Sequence, residues 1–322
     1  MKKTLIITGC AGFIGFHLAN KLSKRYNIIG IDKISNYYSI KLKKKRLEIL
    51  KTNKNFKFYK KDLSKKHSLN FLRNKKIYAV IHLAAQAGVR NSIYNPLNYI
   101  SDNIIAQVNL YEKFKDIKLK KFIYASSSSI YGLSKLKKFS EKEKLLDPLS
   151  FYSATKQSIE QISKYYSNFY KIPSIGLRFF TCYGPWGRPD LSVTKITEGI
   201  LKKKVVLLNN GQTKRDYTYI DDTVLGIEKC LNFKKFTKSY HEVFNIGTGK
   251  SYTISHLTKI LGSILNTKFR IYYKKHHPTD MRFTNADIKK SKKLLNYEPK
   301  ISLENGLKYF LNWYLQYEKI KK

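Results

Sequence analysis

The sequence feature that most restricts the fold is a glycine-rich turn near the N-terminus. Gly9, Gly12 and Gly15 form a GxxGxxG pattern within the run T-G-C-A-G-F-I-G. A short apolar run at residues 3–8 precedes it, and residues 13–22 follow with helical spacing. Glycines let the backbone approach a pyrophosphate, and the N-terminus of a helix offers free N–H groups to its charge. We therefore predict a dinucleotide-binding strand–turn–helix unit.

Further apolar runs alternate with helical patterns along the chain. This alternation predicts an α/β fold with a doubly wound parallel sheet of the Rossmann type and a smaller C-terminal α/β substrate lobe. We place the dinucleotide-binding domain at residues 1–177 and the substrate lobe at 178–322, with segments free to pass between them. The predicted strands are residues 3–8, 26–31, 56–59, 78–83, 121–125 and 175–180, and the predicted last helix is 303–317.

An acidic residue ends the second predicted strand. Asp32 stands 17 positions after Gly15, where a carboxylate accepts hydrogen bonds from both adenosine ribose hydroxyls and repels a 2′-phosphate. NAD is therefore the predicted cofactor, although Lys33 beside Asp32 works against this selectivity. Asp62 and Leu63, which follow the third strand, are predicted to lie beside the adenine.

The 322-residue chain has a net charge of +41, from 63 basic and 22 acidic residues. Such a charge attracts polyanions. However, Lys supplies 54 of the cations and Arg only nine, whereas nucleic-acid readers use Arg for bidentate contacts. We therefore attribute the charge to biased composition and predict no specific nucleic-acid partner, but a field that favours anionic substrates. The lysine-rich stretches 35–61 and 113–121 are predicted to be solvated.

Cysteines and apolar runs restrict the compartment. The three cysteines are widely spaced and contain no CxxC pair, which argues against a disulfide scaffold or a metal site and favours a reducing cytoplasm. Glycines interrupt the N-terminal apolar run at the dinucleotide-turn spacing, so we do not read it as a signal peptide. No apolar stretch approaches the ~18–20 residues of a membrane span. We predict a cytoplasmic protein without membrane association.

A tyrosine and a lysine with helical spacing are the candidate catalytic pair. Tyr152 and Lys156 stand at i and i+4, on one face of a helix. A nearby ammonium, helped by the positive charge of a bound nicotinamide, lowers a tyrosine pKa from about 10, so the phenolate can act as a general base towards a sugar hydroxyl. This spacing arises by chance in chains rich in both residues. Residues 126–129, four serines at the end of a predicted strand, strengthen the case because they would face the same cleft and complete a Ser-Tyr-Lys triad.

With these motifs in this order, the chain resembles the extended short-chain dehydrogenase/reductase family of nucleotide-sugar epimerases and dehydratases over nearly its whole length. The sequences H-L-A-A at residues 82–85 and Y-I-D-D at 219–222 also fall in family order. Within the family, the likeness is nearest to the UDP-glucuronate 4-epimerases. It is carried by residues 84–90, 124–132 and 178–190, the last stretch being the most specific.

The resemblance implies roles for individual residues. The implied catalytic residues are Ser127, Tyr152 and Lys156. The implied NAD-binding residues are Gly9, Gly12, Phe13, Ile14, Gly15, Asp32, Lys33, Asp62, Leu63, Leu83, Ala84, Ala85, Gln86, Asn103, Ser126, Tyr152, Lys156 and Phe180. The implied substrate-binding residues are Gln86, Arg90, Ser127, Ser128, Ser129, Tyr152, Thr181, Arg188, Arg215, Asp280 and Arg282. Arg215 resembles the family's diphosphate-binding arginine, since a guanidinium suits phosphate geometry. The family also suggests a homodimer through helices near residues 103–114 and 154–170.

One segment departs from the family pattern. Where the family usually has Pro-Gly-Asp, this chain reads P-T-D at 278–280, so Thr279 replaces the glycine. Arg282 stands where glucuronate epimerases commonly have proline. These differences leave open a different anionic substrate.

The serine run also discriminates between reactions. Sugar dehydratases of the family have an Asp-Glu pair directly after the catalytic hydroxyl residue. Decarboxylating enzymes of the family keep a Glu two positions before the tyrosine that corresponds to Tyr131. Here the positions are Ser128 and Ser129, which cannot act as carboxyl acids or bases. The predicted reaction is NAD-dependent 4-epimerisation of UDP-glucuronate to UDP-galacturonate through a 4-keto intermediate. The alternatives are a 4-epimerase of UDP-glucose or UDP-N-acetylglucosamine and a non-catalytic RNA-binding member of the fold.

Overall fold

A seven-stranded parallel sheet forms the centre of the protein. The computed structural model describes residues 2–208, 211–236 and 239–320. The strands in chain order are β1 (Thr4–Thr8), β2 (Asn27–Asp32), β3 (Phe56–Lys60), β4 (Ala79–His82), β5 (Lys121–Ser127), β6 (Ser174–Phe179), β7 (Thr181–Tyr183), β8 (Lys204–Leu208), β9 (Lys214–Arg215), β10 (Tyr217–Tyr219), β11 (His241–Ile246), β12 (Tyr252–Thr253) and β13 (Arg270–Lys274).

Helices connect these strands and cover the sheet. They are α1 (Phe13–Leu22), α2 (Ile40–Lys51), α3 (Asn91–Tyr94), α4 (Pro96–Tyr99), α5 (Ala106–Phe114), α6 (Phe151–Phe169), α7 (Ser192–Leu201), α8 (Ile220–Leu231), α9 (Ile254–Leu265), α10 (Lys289–Leu295) and α11 (Leu303–Tyr317). Single 3₁₀ turns occupy Asn70–Leu72 and Ser128–Tyr131, and a π-helical turn occupies Ile100–Ile105. No helix in the described part of the chain is both long and apolar enough to span a bilayer.

The strand order creates a crevice at the carboxyl edge of the sheet. The order is β11-β6-β5-β4-β1-β2-β3, with every pair parallel. β1 lies centrally, with Ile7 opposite Gly30 of β2 on one side and Ile81 of β4 on the other. The strands before β4 are added on one side of β1 and the strands from β4 onwards on the other. The loops that follow β1 and β4 therefore run to opposite faces of the sheet and leave space for a ligand between them. The predicted doubly wound α/β fold is confirmed.

The last strand of the large sheet comes from the second half of the chain. β11 pairs with β6, so that Phe244 lies opposite Leu177. Helix α8, which precedes β11, packs against α1 and β5. The predicted boundary at residue 178 falls inside β6, and the chain returns to the sheet after its first excursion into the smaller lobe.

Three two-stranded sheets build the smaller lobe. β7 pairs with β10, β9 with β12 and β8 with β13. One buried apolar cluster includes Leu5 and Leu18 of the first lobe and also Leu207 in β8 and Tyr217 in β10 of the smaller lobe. Since the cluster contains residues of both lobes, apolar burial holds the two lobes together.

A buried histidine at the end of β4 predicts acid sensitivity. His82 is 3% exposed, and its Nδ1 lies 2.7 Å from Thr8 Oγ1. Burial, with a smaller effect of the Lys156 charge, lowers the His82 pKa from 6.5 to about 3. Between pH ~6.5 and pH ~3 the unfolded chain therefore binds a proton at His82 that the folded protein does not bind. The free energy of unfolding falls as the pH is lowered through this range.

We expect His82 to remove about 3 kcal/mol of unfolding free energy between pH 7 and pH 4. The variant His82→Asn keeps an acceptor near Thr8 but cannot protonate in this range. Urea unfolding across that pH range should give a smaller acid loss for this variant than for the parent. The exposed His256→Asn variant is the control, and equal acid losses in all three proteins would contradict the assignment.

Candidate functional site

A cavity of about 400 Å³ follows the carboxyl edge of the large sheet. It lies between the loops after β1, β2, β4 and β5 and the smaller lobe. Most of the predicted site residues line it. They are Gly9, Gly12, Phe13, Ile14, Gly15, Asp32, Lys33, Asp62, Leu63, Leu83, Ala84, Ala85, Gln86, Ser126, Ser127, Ser128, Ser129, Tyr152, Lys156, Phe180, Thr181, Arg188, Arg215 and Asp280.

Three predicted residues do not line this cavity. Asn103 lies buried behind the wall, where its side chain bonds to both the backbone N–H and the carbonyl of Gln86. The guanidinium of Arg90 donates to Asp280 Oδ2 at 2.6 Å, and this pair is partly exposed. Arg282 is exposed and contributes its carbonyl to the N–H of Lys214. A direct contact with ligand is therefore not supported for Asn103 or Arg282, and Arg90 would first have to leave Asp280.

The glycine turn has the geometry that a pyrophosphate needs. Gly9 has a φ of +68°, and a Cβ there would lie 2.7 Å from the backbone nitrogen of Ala84. A Cβ at Gly15 would lie 2.1 Å from the Gly9 carbonyl oxygen. Helix α1 begins after Gly12 with no side-chain cap, so its first N–H groups are left for a ligand. These features fit the diphosphate of a dinucleotide.

The end of β2 fits the adenosine ribose. Asp32 accepts N–H bonds from Ala11 at 3.1 Å and Ile34 at 2.8 Å, and burial raises its pKa. The adjacent Lys33 amine is held by both carboxylate oxygens of Asp102, at 2.5 and 2.6 Å. Asp102 stands on the π-helical turn, which the sequence did not predict. The pairing neutralises Lys33, so that its charge opposes the selectivity of Asp32 less than the sequence suggested.

The candidate catalytic pair lies at the start of α6. A capping box formed by Ser150 and Ser153 fixes the helix N-terminus, and Tyr152 lies within this first turn. The Lys156 amine lies 5.8 Å from the centroid of the Tyr152 ring and donates to the Ala125 carbonyl at 2.7 Å. The predicted placement of the two side chains on one helix face is observed, and both are buried in the cavity wall.

Burial is the main influence on the pKa values of this pair in the protein alone. Burial raises the pKa of Tyr152, while a hydrogen bond with Ser127 and the charge of Arg188 act in the opposite direction. Burial also lowers the pKa of Lys156 to about 7, against the opposing charge of Glu160. In the protein alone, desolvation of Tyr152 therefore outweighs the opposing effects of Ser127 and Arg188. The cation of an oxidised nicotinamide would favour the phenolate.

A buried ionic network supports the serine run from behind. Arg178 binds Glu160 through two hydrogen bonds of 3.0 and 2.8 Å, and both side chains are 5% exposed. Ser126 donates to Glu160 at 2.5 Å, and Arg178 donates to the Tyr131 hydroxyl at 3.0 Å. The network joins β5, β6, α6 and the 3₁₀ turn after Ser127. The sequence did not reveal it, because its members are far apart along the chain.

The serine run presents hydroxyl groups to the cavity. Ser127 Oγ accepts the N–H of Ser129 at 3.1 Å, which closes the 3₁₀ turn. Within the described structure the Ser129 hydroxyl is buried without a hydrogen-bond partner. A buried polar group of this kind is costly unless it is satisfied.

Arg188 provides a cation near the candidate base. Its guanidinium donates to Asp190 at 2.9 and 2.7 Å through two of its three nitrogens. Asp190 also accepts the Tyr37 hydroxyl at 3.2 Å. Because Arg188 and Tyr152 line the same cavity, a carboxylate bound to the remaining nitrogen of Arg188 would share that cavity with the phenol. This arrangement suits an acidic sugar.

No cluster of three or more His, Cys, Asp or Glu side chains able to hold a metal occurs in residues 2–208, 211–236 and 239–320.

Some cavity-lining residues were not among the predicted site residues. Arg215 and Asp280 line the cavity together with Thr279 and Met281, two residues that the predicted site did not include. Lys43, Tyr37 and Tyr38 also line it. Lys43 lies in a stretch predicted to be solvated, yet it is only 4% exposed.

Comparison with known proteins gives consistent similarities. The family model described as GDP-mannose 4,6 dehydratase matches residues 6–310. A UDP-glucuronate 4-epimerase of Thermodesulfobacterium geofontis is 40% identical over 312 residues, which cover 96% of this chain and 95% of that protein. The crystal structure of a UDP-glucuronic acid 4-epimerase from Bacillus cereus, in complex with UDP-glucuronic acid and NAD, superposes with a TM-score of 0.91. The two chains are 35% identical, and the match covers 98% of this chain and 99% of that one. A UDP-glucose 4-epimerase from Thermotoga maritima, solved with UDP-glucose, gives a TM-score of 0.88 at 30% identity, covering 98% and 99% of the two chains.

Proposed function

Because the chain belongs to the extended short-chain dehydrogenase/reductase family of nucleotide-sugar epimerases and dehydratases, we propose that it is an NAD-dependent isomerase that interconverts UDP-glucuronate and UDP-galacturonate. One observation carries the choice of a uronate. The guanidinium of Arg188 lies on the wall of the same cavity as Tyr152, Lys156 and Ser127, and its charge acts on the Tyr152 phenol.

The cofactor and substrate would occupy opposite parts of the cavity. The glycine turn would hold the NAD diphosphate, Asp32 the adenosine ribose and Lys156 the nicotinamide ribose. NAD supplies a reversible hydride acceptor next to the sugar. Arg215 and Asp280, on the smaller lobe, would hold the nucleotide part of the substrate, while Thr181 and Arg188 would hold the sugar carboxylate.

The residues of the chain would then direct the chemistry at C4. Tyr152 removes the proton of the C4 hydroxyl as that carbon is oxidised, and Ser127 shares the hydrogen bond to the reacting oxygen. The 4-keto sugar turns within the cleft and presents its opposite face. Tyr152 returns the proton as the carbon is reduced, and the configuration at C4 is inverted.

The serine turn favours epimerisation over the other reactions of the family. Dehydration across C5 and C6 needs a positioned acid and base, and Ser128 and Ser129 offer only neutral hydroxyls. A 4-keto uronate is a β-keto acid that tends to lose CO₂. Hydrogen bonds from Thr181 and from the serine hydroxyls of this turn would hold the carboxylate in an orientation that disfavours this cleavage.

Assembly and compartment are further parts of the proposal. A homodimer through α5 and α6 is supported by Tyr165 and Phe169, two large side chains of α6 that are exposed in the single chain. A cytoplasmic location is supported by three thiols, Cys10, Cys182 and Cys230, which are unpaired in the described structure.

Incubation of the purified protein with UDP-glucuronate tests the reaction. We expect proton NMR to show UDP-galacturonate accumulating to equilibrium without added NADH and without UDP-xylose. UDP-glucose and UDP-N-acetylglucosamine are the comparison substrates, and we expect slower turnover of both. Formation of UDP-xylose, or faster turnover of a neutral sugar, would reject the proposed reaction or its substrate.

A further inference from the structure

Arg188 lies on the 184–190 loop, which is attached along its length to the cofactor-binding lobe. The Nε2 atom of His17 on α1 lies 2.9 Å from the Pro185 carbonyl oxygen. Tyr37, in the segment after β2, bonds to Asp190 at 3.2 Å. The loop therefore takes its position from the first lobe as well as from its own backbone.

Arg46 on α2 makes the central attachment. It is fully buried, and its Nη2 atom donates to the carbonyls of Trp186 at 2.5 Å and Gly187 at 3.3 Å. Its Nη1 atom donates to the carbonyl of Ala11 at 2.8 Å and to the Tyr38 hydroxyl at 2.7 Å. One guanidinium thus contacts the glycine turn and the 184–190 loop at the same time, although it does not line the cavity.

The chemistry of this contact suggests a geometric role. No carboxylate bonds directly to Arg46 in the described structure; its hydrogen-bond acceptors are three carbonyls and a phenol. A buried cation without an ionic partner is a poor source of stability, and burial lowers its pKa. A planar fork with several donors can nevertheless span two backbone segments, which a lysine ammonium cannot reproduce. The chain has only nine Arg against 54 Lys, and an arginine occupies this position, where a guanidinium can bond to both segments.

We propose that Arg46 is a positioning residue that sets Arg188 relative to the cofactor turn, so that selectivity for an acidic sugar depends on a side chain outside the substrate cavity. The mechanical part of the proposal, that Arg46 fixes the 184–190 loop, stands on the contacts above. The selectivity part rests on the proposed function, in which Arg188 binds the sugar carboxylate.

The mechanical part can be measured without substrate. The chain has two tryptophans, Trp186 and Trp313, whose ring centroids lie 5.4 Å apart. A Trp313→Phe background keeps an aromatic ring against Trp186 and leaves Trp186 as the single tryptophan, which is excited selectively over the tyrosines. In that background we expect Arg46→Lys to increase acrylamide quenching of Trp186 at least 2-fold, because one ammonium cannot reach both segments. Tyr38→Phe, which removes one acceptor but leaves both loop carbonyls bonded, should quench like the background protein. Unchanged quenching in Arg46→Lys would overturn the proposal.

The selectivity part is tested by calorimetric binding of UDP-glucuronate and UDP-glucose to the NAD-loaded protein. Arg46→Lys should weaken UDP-glucuronate binding at least 10-fold and UDP-glucose binding less than 2-fold, the pattern also expected of Arg188→Met. Equal weakening of both ligands would mean a general structural effect and would overturn the selectivity role. If the parent protein binds the two sugars equally, the proposed substrate is wrong, whereas the Trp186 measurement still decides the role of Arg46 in the loop.

Discussion

Replacing Tyr152 with phenylalanine should lower turnover of UDP-glucuronate at least about 100-fold while NAD stays bound. The ring of Tyr152 is 7% exposed and packs edge-on to Tyr99, with ring centroids 6.2 Å apart. Phenylalanine keeps this packing and removes only the hydroxyl, which lies in the cavity wall together with Ser127. The loss is therefore expected in kcat, because the missing group acts when the proton moves rather than when the sugar binds.

Turnover is followed by NMR, and bound NAD is measured after the protein is denatured. Tyr166→Phe is the control, since Tyr166 lies on the same helix and bonds to Glu112 at 2.7 Å, away from the cavity. This variant should turn over like the parent. Parental activity in Tyr152→Phe would mean that another group serves as the base.

Replacing Glu160 with glutamine should have the largest effect on stability. The change keeps the shape of the side chain but leaves Arg178 as a buried cation without its ionic partner. Loss of one member of a buried pair costs about 3–5 kcal/mol. The effect should be large because Glu160 also accepts the Ser126 hydroxyl, which joins α6 to β5.

Urea unfolding monitored by circular dichroism measures this loss. Glu242→Gln is the control, because Glu242 pairs with Lys290 at 2.7 Å in a partly exposed position. Such pairs contribute about 0–1 kcal/mol. Similar losses of unfolding free energy in the two variants would show that the buried Arg178–Glu160 pair contributes no more to stability than a partly exposed pair.

Local patterns predicted the first and last helices and the glycine turn well. Helix α1 occupies Phe13–Leu22 and helix α11 occupies Leu303–Tyr317, the same bounds that apolar spacing predicted. Strand β6 also lies within one residue of its prediction, at Ser174–Phe179. Each of these elements buries one continuous stripe or run of apolar residues against a core. The spacing of those residues along the sequence is therefore enough to predict the element.

Contacts between distant segments were not predictable in the same way. Arg46 and Lys43 lie in a lysine-rich stretch and are buried only because the chain folds over them. Glu160 and Arg178 pair across α6 and β6, and neither residue has a local feature that marks it as buried. The rise of the Tyr152 pKa in the protein alone was not predictable for the same reason, since desolvation depends on the whole assembled cavity.

The position of β11 at the end of the sheet affects how the protein is made. While the ribosome is still adding residues before His241, the backbone donors and acceptors on the outer side of β6 have no strand to pair with. An unpaired parallel edge is a site of intermolecular association. The growing chain therefore has one open sheet edge until Ile246 has been added, so the seven-stranded sheet is completed only after about three-quarters of the polypeptide has been made.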